Sequence, residues 1–139
     1  MKRIISIFLI SLSLLFLFST ALADESSTSR ASNYFSSYGI SLSALGSGDF
    51  SFTMNCASQG TASQLGVSTY TVYRYDDGSW TYITSGNGSY KYNTSSYALS
   101  KTFNGVSGEK YRVKCTFLCT KSDATSESKT YTSRTITAN

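Results

Sequence analysis

The sequence predicts an all-β protein, an antiparallel β-sandwich of about seven strands. Three observations carry this. The chain of 139 residues is 14% aromatic and only 14% charged, and it contains no proline. It is rich in Ser, Thr and Tyr, and Tyr, Thr, Phe and Val suit a pleated, half-buried surface. Asp49 to Ala57 alternates apolar and polar residues with a strict period of two, and Tyr111 to Thr120 places Tyr111, Val113, Cys115, Phe117 and Cys119 on one face, which argues for one face in a core and one in water. Helix formers are scattered and never sustain a period of 3.6.

The chain begins with an export signal. Lys2 and Arg3 form a positive start, Ile4 to Phe18 an apolar run, and Ala21-Leu22-Ala23 a small-x-small cleavage pattern. Residues 1–23 therefore read as a helical signal peptide rather than a membrane anchor. The run is shorter than the roughly 20 residues a spanning helix needs, and it meets Asp24 and Glu25 at once. Cleavage leaves 116 residues and lowers the net charge from +4 to +2. That is one domain with one core. The expected location is extracellular, with no membrane contact after cleavage. The absence of a sorting motif at Thr137-Ala138-Asn139 favours release over retention at the cell surface.

Residues 24–33 form a polar, flexible lead-in, and 34–139 the single sandwich domain. A first strand lies within Tyr34 to Leu45, where Ile40, Leu42 and Ala44 alternate, and Gly46-Ser47-Gly48 turns the chain. Asp49 to Ala57 follows, with Phe50, Phe52, Met54 and Cys56 on the core face. Gln59 to Gly66 breaks the alternation and is expected to be a loop with one helical turn at Ala62–Leu65. Val67 to Tyr75 and Ser79 to Thr84 form a hairpin around Asp77-Gly78, a favoured pair for a two-residue type I′ turn. In that register Tyr75 faces Trp80, Tyr73 faces Tyr82, and Val72 faces Ile83. Val72, Ile83 and Tyr70 point to the core. Ser85 to Ser96 reads as a polar loop in which Tyr90 and Tyr92 add a short strand. Tyr97 to Phe103, Tyr111 to Thr120 and Lys129 to Ile136 complete the set. Frequent turn signals between short strands are the pattern of an immunoglobulin-like sandwich, and a closed barrel is the alternative.

The three cysteines all fall on inward positions. Cys115 and Cys119, four apart on one strand, are separated by roughly 13 Å, too far for a bridge. The candidate disulfide therefore joins Cys56 to Cys115 or to Cys119, and buried free thiols are the alternative. Without a CxxC spacing or any histidine, the cysteines make a poor metal ligand set.

The absence of histidine removes the usual general base and every Ser-His-Asp or Cys-His arrangement. The carboxylates fall mostly in turns, and Asp76-Asp77 is better explained by turn chemistry than by paired acid–base work or a calcium loop. No P-loop or GxGxxG occurs. The expectation is a non-enzyme with no cofactor and no bound metal. Nucleic-acid binding calls for a basic stripe. Lys110, Arg112, Lys114 and Lys121 are the nearest approach, with Arg112 and Lys114 on one outward strand face. Asn87-Gly88-Ser89 and Asn93-Thr94-Ser95 are sequons that matter only in a host with N-glycosylation.

What remains is a binding surface. Tyr73, Tyr75, Trp80 and Tyr82 share the outward face of the hairpin, and such rings suit sugar faces or peptide partners. A one-residue slip would instead turn them into the core. The expected role is a secreted binding or surface-interaction module, its partner a cell-wall glycan or a surface protein. The alternative is a structural or toxin-like factor that self-assembles through edge strands.

Two resemblances add to this reading. The run Gly105-Val106-Ser107-Gly108-Glu109-Lys110-Tyr111-Arg112-Val113-Lys114 resembles the sixth strand of a fibronectin type III or immunoglobulin-like domain, with Tyr111 as its tyrosine-corner residue. The corner tyrosine of that pattern precedes a cysteine by two, where this chain has Val113. The stretch Arg30 to Phe35 with Tyr38 and Gly48, and the spaced set Leu65-Gly66, Trp80, Tyr97, Gly105, Gly108 and Tyr111, are similar to a family of small exported proteins of Gram-positive bacteria classed as a domain of unknown function. That resemblance implies export and a β-sandwich, and no catalytic residue.

Overall fold

A computed structural model describes residues 32–139, so the expected signal peptide and most of the expected lead-in lie outside the described residues. Within them the chain is all-β and antiparallel, with seven strands: β1 (Phe35–Gly46), β2 (Asp49–Asp76), β3 (Ser79–Asn87), β4 (Tyr90–Asn104), β5 (Lys110–Thr120), β6 (Ser126–Thr132) and β7 (Ile136–Thr137).

The scaffold is one long ribbon folded on itself. β2 runs 28 residues without a break. β3 and then β4 return along a single edge of it, from Asp76↔Ser79 at the turn to Asp49↔Asn104 at the far end. The opposite edge of β2 takes β1 along its first half and β5 along its second. β6 and β7 then pair with β5. Between Ala57 and Ala62 the register of β2 against β4 slips, and the extra residues let the ribbon bend.

Bending brings two layers face to face. One layer holds β1, the first half of β2 and the second half of β4. The other holds the second half of β2, β3, β5, β6 and β7. Aromatic rings close the gap: Phe50 to Tyr111 at 5.2 Å, Phe52 to Tyr70 at 5.4 Å and Tyr38 to Phe117 at 5.8 Å. The side chains that alternation marks are buried, with Phe50, Phe52 and Met54 in one layer and Val113, Cys115, Phe117 and Cys119 in the other. Each large apolar side chain so buried contributes roughly 1.5–3 kcal/mol. The domain is thus the all-β sandwich that the sequence predicts. The tyrosine corner is present as well: Tyr111, 2% exposed, accepts a hydrogen bond on its hydroxyl from the Val106 N–H at 3.0 Å.

Three local expectations are corrected. Residues 59–66 are strand, not a loop with a helical turn. Ala62 and Leu65 are fully buried there, and pairing with β4 and β5 outweighs the polar composition. The polar stretch 85–96 is also strand apart from a two-residue link at Gly88-Ser89, because the backbone of β2 offers it a partner along nearly its whole length. Val72 pairs with Thr84 rather than Ile83, since a bulge between Val72 and Tyr73 leaves Ile83 as the extra residue. Ile83 is therefore half-buried rather than in the core.

The two halves of the molecule are finished differently. On one side β1 approaches β6: Tyr38 and Tyr131 stack edge to face at 6.2 Å, and the Ser32 hydroxyl donates to Glu127 at 2.7 Å. On the other, β3 and β4 share a hydrogen-bonded ladder with no strand but β2 among the described residues.

Candidate functional site

The hairpin that carries the candidate site folds as its turn residues dictate. Asp77 and Gly78 both have positive φ, 44° and 88°, as a type I′ turn requires. Tyr75 then pairs with Trp80 and Tyr73 with Tyr82. A second glycine serves the flank. Any Cβ at Gly86 would run into the phenol of Tyr70, its cross-strand neighbour, so only glycine lets Tyr70 lie inward against Phe52.

All four aromatic side chains stand on the outer face of the second layer, in the predicted register, and none is turned into the core. Tyr75 and Tyr82 are exposed, at 40% and 58%, while Tyr73 and Trp80 are half-buried. The Tyr75 and Trp80 rings sit 5.2 Å apart at 59°. The Tyr82 hydroxyl shares a hydrogen bond with Ser85 at 3.1 Å.

Two further residues belong to this face, and sequence reasoning missed both as part of it. Arg112 on β5 pairs with Tyr73. Its guanidinium carbon lies 4.3 Å from the Trp80 ring centroid and 5.5 Å from that of Tyr73, so the cation covers the indole and holds it in place. The Arg112 Nε is buried without a hydrogen-bond partner. Tyr92, 66% exposed, lies opposite Gln64, which lies opposite Thr120, so it stands on this same face at the far end of the ribbon. An alternation signal on Lys110 to Thr120 places Arg112 outward. Only the pairing of β5 with β2, which is non-local, puts it on Trp80.

Hydroxyls fill the ground between these rings. Thr69 and Thr71 on β2, Thr116 and Thr120 on β5, and Ser126, Ser128, Thr130 and Thr132 on β6 share the outward parity. Thr116 bonds Thr130 at 3.3 Å and Thr120 bonds Ser126 at 2.9 Å. At the hairpin end, Arg74 forms an ion pair with Asp76 at 2.9 Å on the opposite parity. The Asp76 hydrogen bond raises the already high pKa of Arg74 further.

The cysteines do not form the candidate disulfide. Cys56, Cys115 and Cys119 are all free and buried, so neither Cys56–Cys115 nor Cys56–Cys119 is bridged. Cys56 sits between Tyr38 and Tyr97, Cys115 between Tyr70 and Tyr131, and Cys119 between Leu65 and Glu127. The thiols act as small apolar groups that fill the gap between layers. Burial, with the neighbouring Cys119 in second place, pushes the Cys56 thiol up to about 12. Burial pushes Cys115 and Cys119 up as well. Thiols held protonated in this way are poor nucleophiles.

A cleft of about 550 Å³ adjoins Cys56 near the ribbon's bend, lined by Tyr38, Asn55, Lys91, Ser96 and Tyr97 among others. Among the described residues, the two carboxyl pKa values that are displaced both move down. Thr125 hydrogen bonds lower Asp123, and Lys129 followed by Ser32 lowers Glu127. Among the described residues no group of three or more Cys, Asp or Glu is placed to hold a metal ion. No protein-family model and no curated protein sequence matches the chain.

Proposed function

We propose that the protein is an exported, non-catalytic module that recognises carbohydrate, in the first instance cell-wall glycan, through Tyr73, Tyr75, Trp80 and Tyr82. One observation carries the reading. Among the described residues, three of the five exposed large apolar side chains, Tyr75, Tyr82 and Tyr92, stand on the sheet face that carries the half-buried Trp80, with Tyr92 at its far end. Exposed rings gathered on one face mark an interaction surface. Here they are spaced mainly by hydroxyl side chains, with Leu118 an aliphatic exception on β5, which favours a sugar, with its apolar face and polar rim, over a protein core. A cell-surface protein is the competing partner. The test is to incubate the purified protein with isolated cell walls and a glycan panel, beside a Trp80→Ala, Tyr82→Ala variant shown to fold by circular dichroism. Binding by the parent that the variant loses supports the proposal, and absence of binding by the parent contradicts it.

A second reading, a structural or toxin-like factor that self-assembles, is favoured by the open β3–β4 edge. From Ser79 to Asn104 that edge carries only two charges, Lys91 and Lys101, and no proline. Long edges with so little protection are templates for strand addition. A mass by light scattering that rises with concentration favours this reading, and a constant monomer mass removes it.

A further inference from the structure

We infer that the glycan taken by this face is anionic, a sugar polymer that carries repeating carboxylate or phosphate groups. The inference rests on the carbohydrate reading above and adds the chemical class of ligand to it.

The argument is one of charge on a single face. β5 presents Lys110, Arg112 and Lys114 outward in alternation with the buried Tyr111, Val113 and Cys115. Arg112 stands opposite Tyr73, Lys114 stands between Thr71 and Thr132, and Lys110 stands opposite Thr137. Three cations therefore form a row beside the aromatic cluster, with successive outward positions roughly 7 Å apart along the strand. The outward positions of β2, β3, β5, β6 and β7 in this layer hold no Asp or Glu. Of the neighbouring carboxylates, Asp77 lies in the exposed turn beyond the strand positions. Asp76 is bound to Arg74 on the opposite parity, and Glu127 is bound to Lys129 and Ser32. A solvated sheet face would intersperse both signs, so one-signed charge beside exposed rings points to a ligand of the opposite sign.

Arg112 joins the two halves of the site. Its guanidinium lies against Trp80, and its buried Nε has no partner. A planar guanidinium held by a ring presents its remaining N–H groups in a fixed fork, which matches a carboxylate or a phosphate. The sugar ring would rest on Tyr75, Trp80 and Tyr82, and its charged substituents would meet Arg112 and the flanking lysines.

The test compares chemically matched polymers. Binding of the purified protein is measured by calorimetry to polygalacturonate and to the same polymer fully methyl-esterified, which keeps the sugar backbone and removes the charge. A poly(glycerol phosphate) carrying sugar substituents tests phosphate as the source of the anion, and polyglutamate tests charge without sugar. The expected result is tighter binding to at least one charged sugar polymer than to the esterified one, weakened by salt. Lys110→Gln, Lys114→Gln, checked for an unchanged melting temperature, is expected to cut that preference at least about fivefold. Phosphate-polymer binding without polygalacturonate binding assigns the anion as phosphate, and the converse assigns it as carboxylate. Equal affinity for charged and esterified polymers overturns the inference and leaves the carbohydrate reading standing. Polyglutamate binding as tight as that of the sugar polymers overturns it as well. Binding to none of the sugar polymers overturns both.

Discussion

Replacing Tyr111 by Phe removes one oxygen and keeps the ring. The ring is fixed by Phe50 at 5.2 Å and Phe103 at 5.6 Å, so Tyr111→Phe leaves the packing intact. What disappears is the acceptor for the Val106 N–H, 3.0 Å away. That N–H belongs to the turn between β4 and β5. A protein hydrogen bond is worth about 1 kcal/mol net, and a part-buried donor left without its partner adds to the loss, so the expected destabilisation is about 1–2 kcal/mol. In a domain of this size that lowers the melting temperature by roughly 5–10 °C. Urea denaturation followed by tyrosine and tryptophan fluorescence gives the free energy directly. Tyr92→Phe is the control, because Tyr92 is 66% exposed and its change should stay within about 0.5 kcal/mol of the parent. A Tyr111→Phe protein as stable as the Tyr92→Phe control would show that the corner contributes nothing and that the turn is held by other means.

Three further outcomes are expected. Gly86→Ala, which forces a methyl into the Tyr70 phenol, should cost about 1–3 kcal/mol by denaturant titration, and the cost should shrink when Tyr70 is already Ala. The buried thiols should resist modification by an aromatic disulfide reagent until the protein unfolds. Because the folded pKa of Cys56 is raised from 9.0 to about 12, the stability it contributes is complete below pH 9.0 and is lost as pH climbs from there towards 12. The slope approaches about 1.4 kcal/mol per pH unit, and a shallower decline is expected in Cys56→Ala. Glu127 has the opposite sign. Its pKa is depressed below 4.5, chiefly by Lys129, so its contribution is complete above that pH and is lost on further acidification. Glu127→Gln should therefore lose less melting temperature than the parent between pH 7 and pH 3.

The legible parts of the fold were those governed by local chemistry. Asp49 to Ala57 and Tyr111 to Thr120 announce their buried faces by alternation, and Asp77-Gly78 announces its turn. The hairpin register that places Tyr73, Tyr75, Trp80 and Tyr82 on one face follows from that turn alone. The illegible parts depend on partners distant in the chain. Residues 59–66 look like a loop because the bulge after Ala57 breaks their period, and only the flanking β4 and β5 reveal them as strand. Ser85 to Ser96 has almost no apolar signal, because as an edge it buries little. The contact of Arg112 with Trp80 joins residues 32 apart across the β2–β5 pairing. The cysteine positions point inward as alternation requires, but inward direction does not fix pairing, and the layers hold the three thiols unbridged.

Trp80 is the single tryptophan of the chain, and it sits within the proposed face beneath Arg112. Its fluorescence is therefore a built-in reporter of that surface. The central measurement is a titration of the folded protein with soluble cell-wall glycan fragments, followed by tryptophan emission. The account predicts a saturable change in emission, with a midpoint that Tyr82→Ala moves to higher ligand concentration. Binding detected by calorimetry under the same conditions with no change in Trp80 emission would place the ligand elsewhere on the molecule and contradict the account.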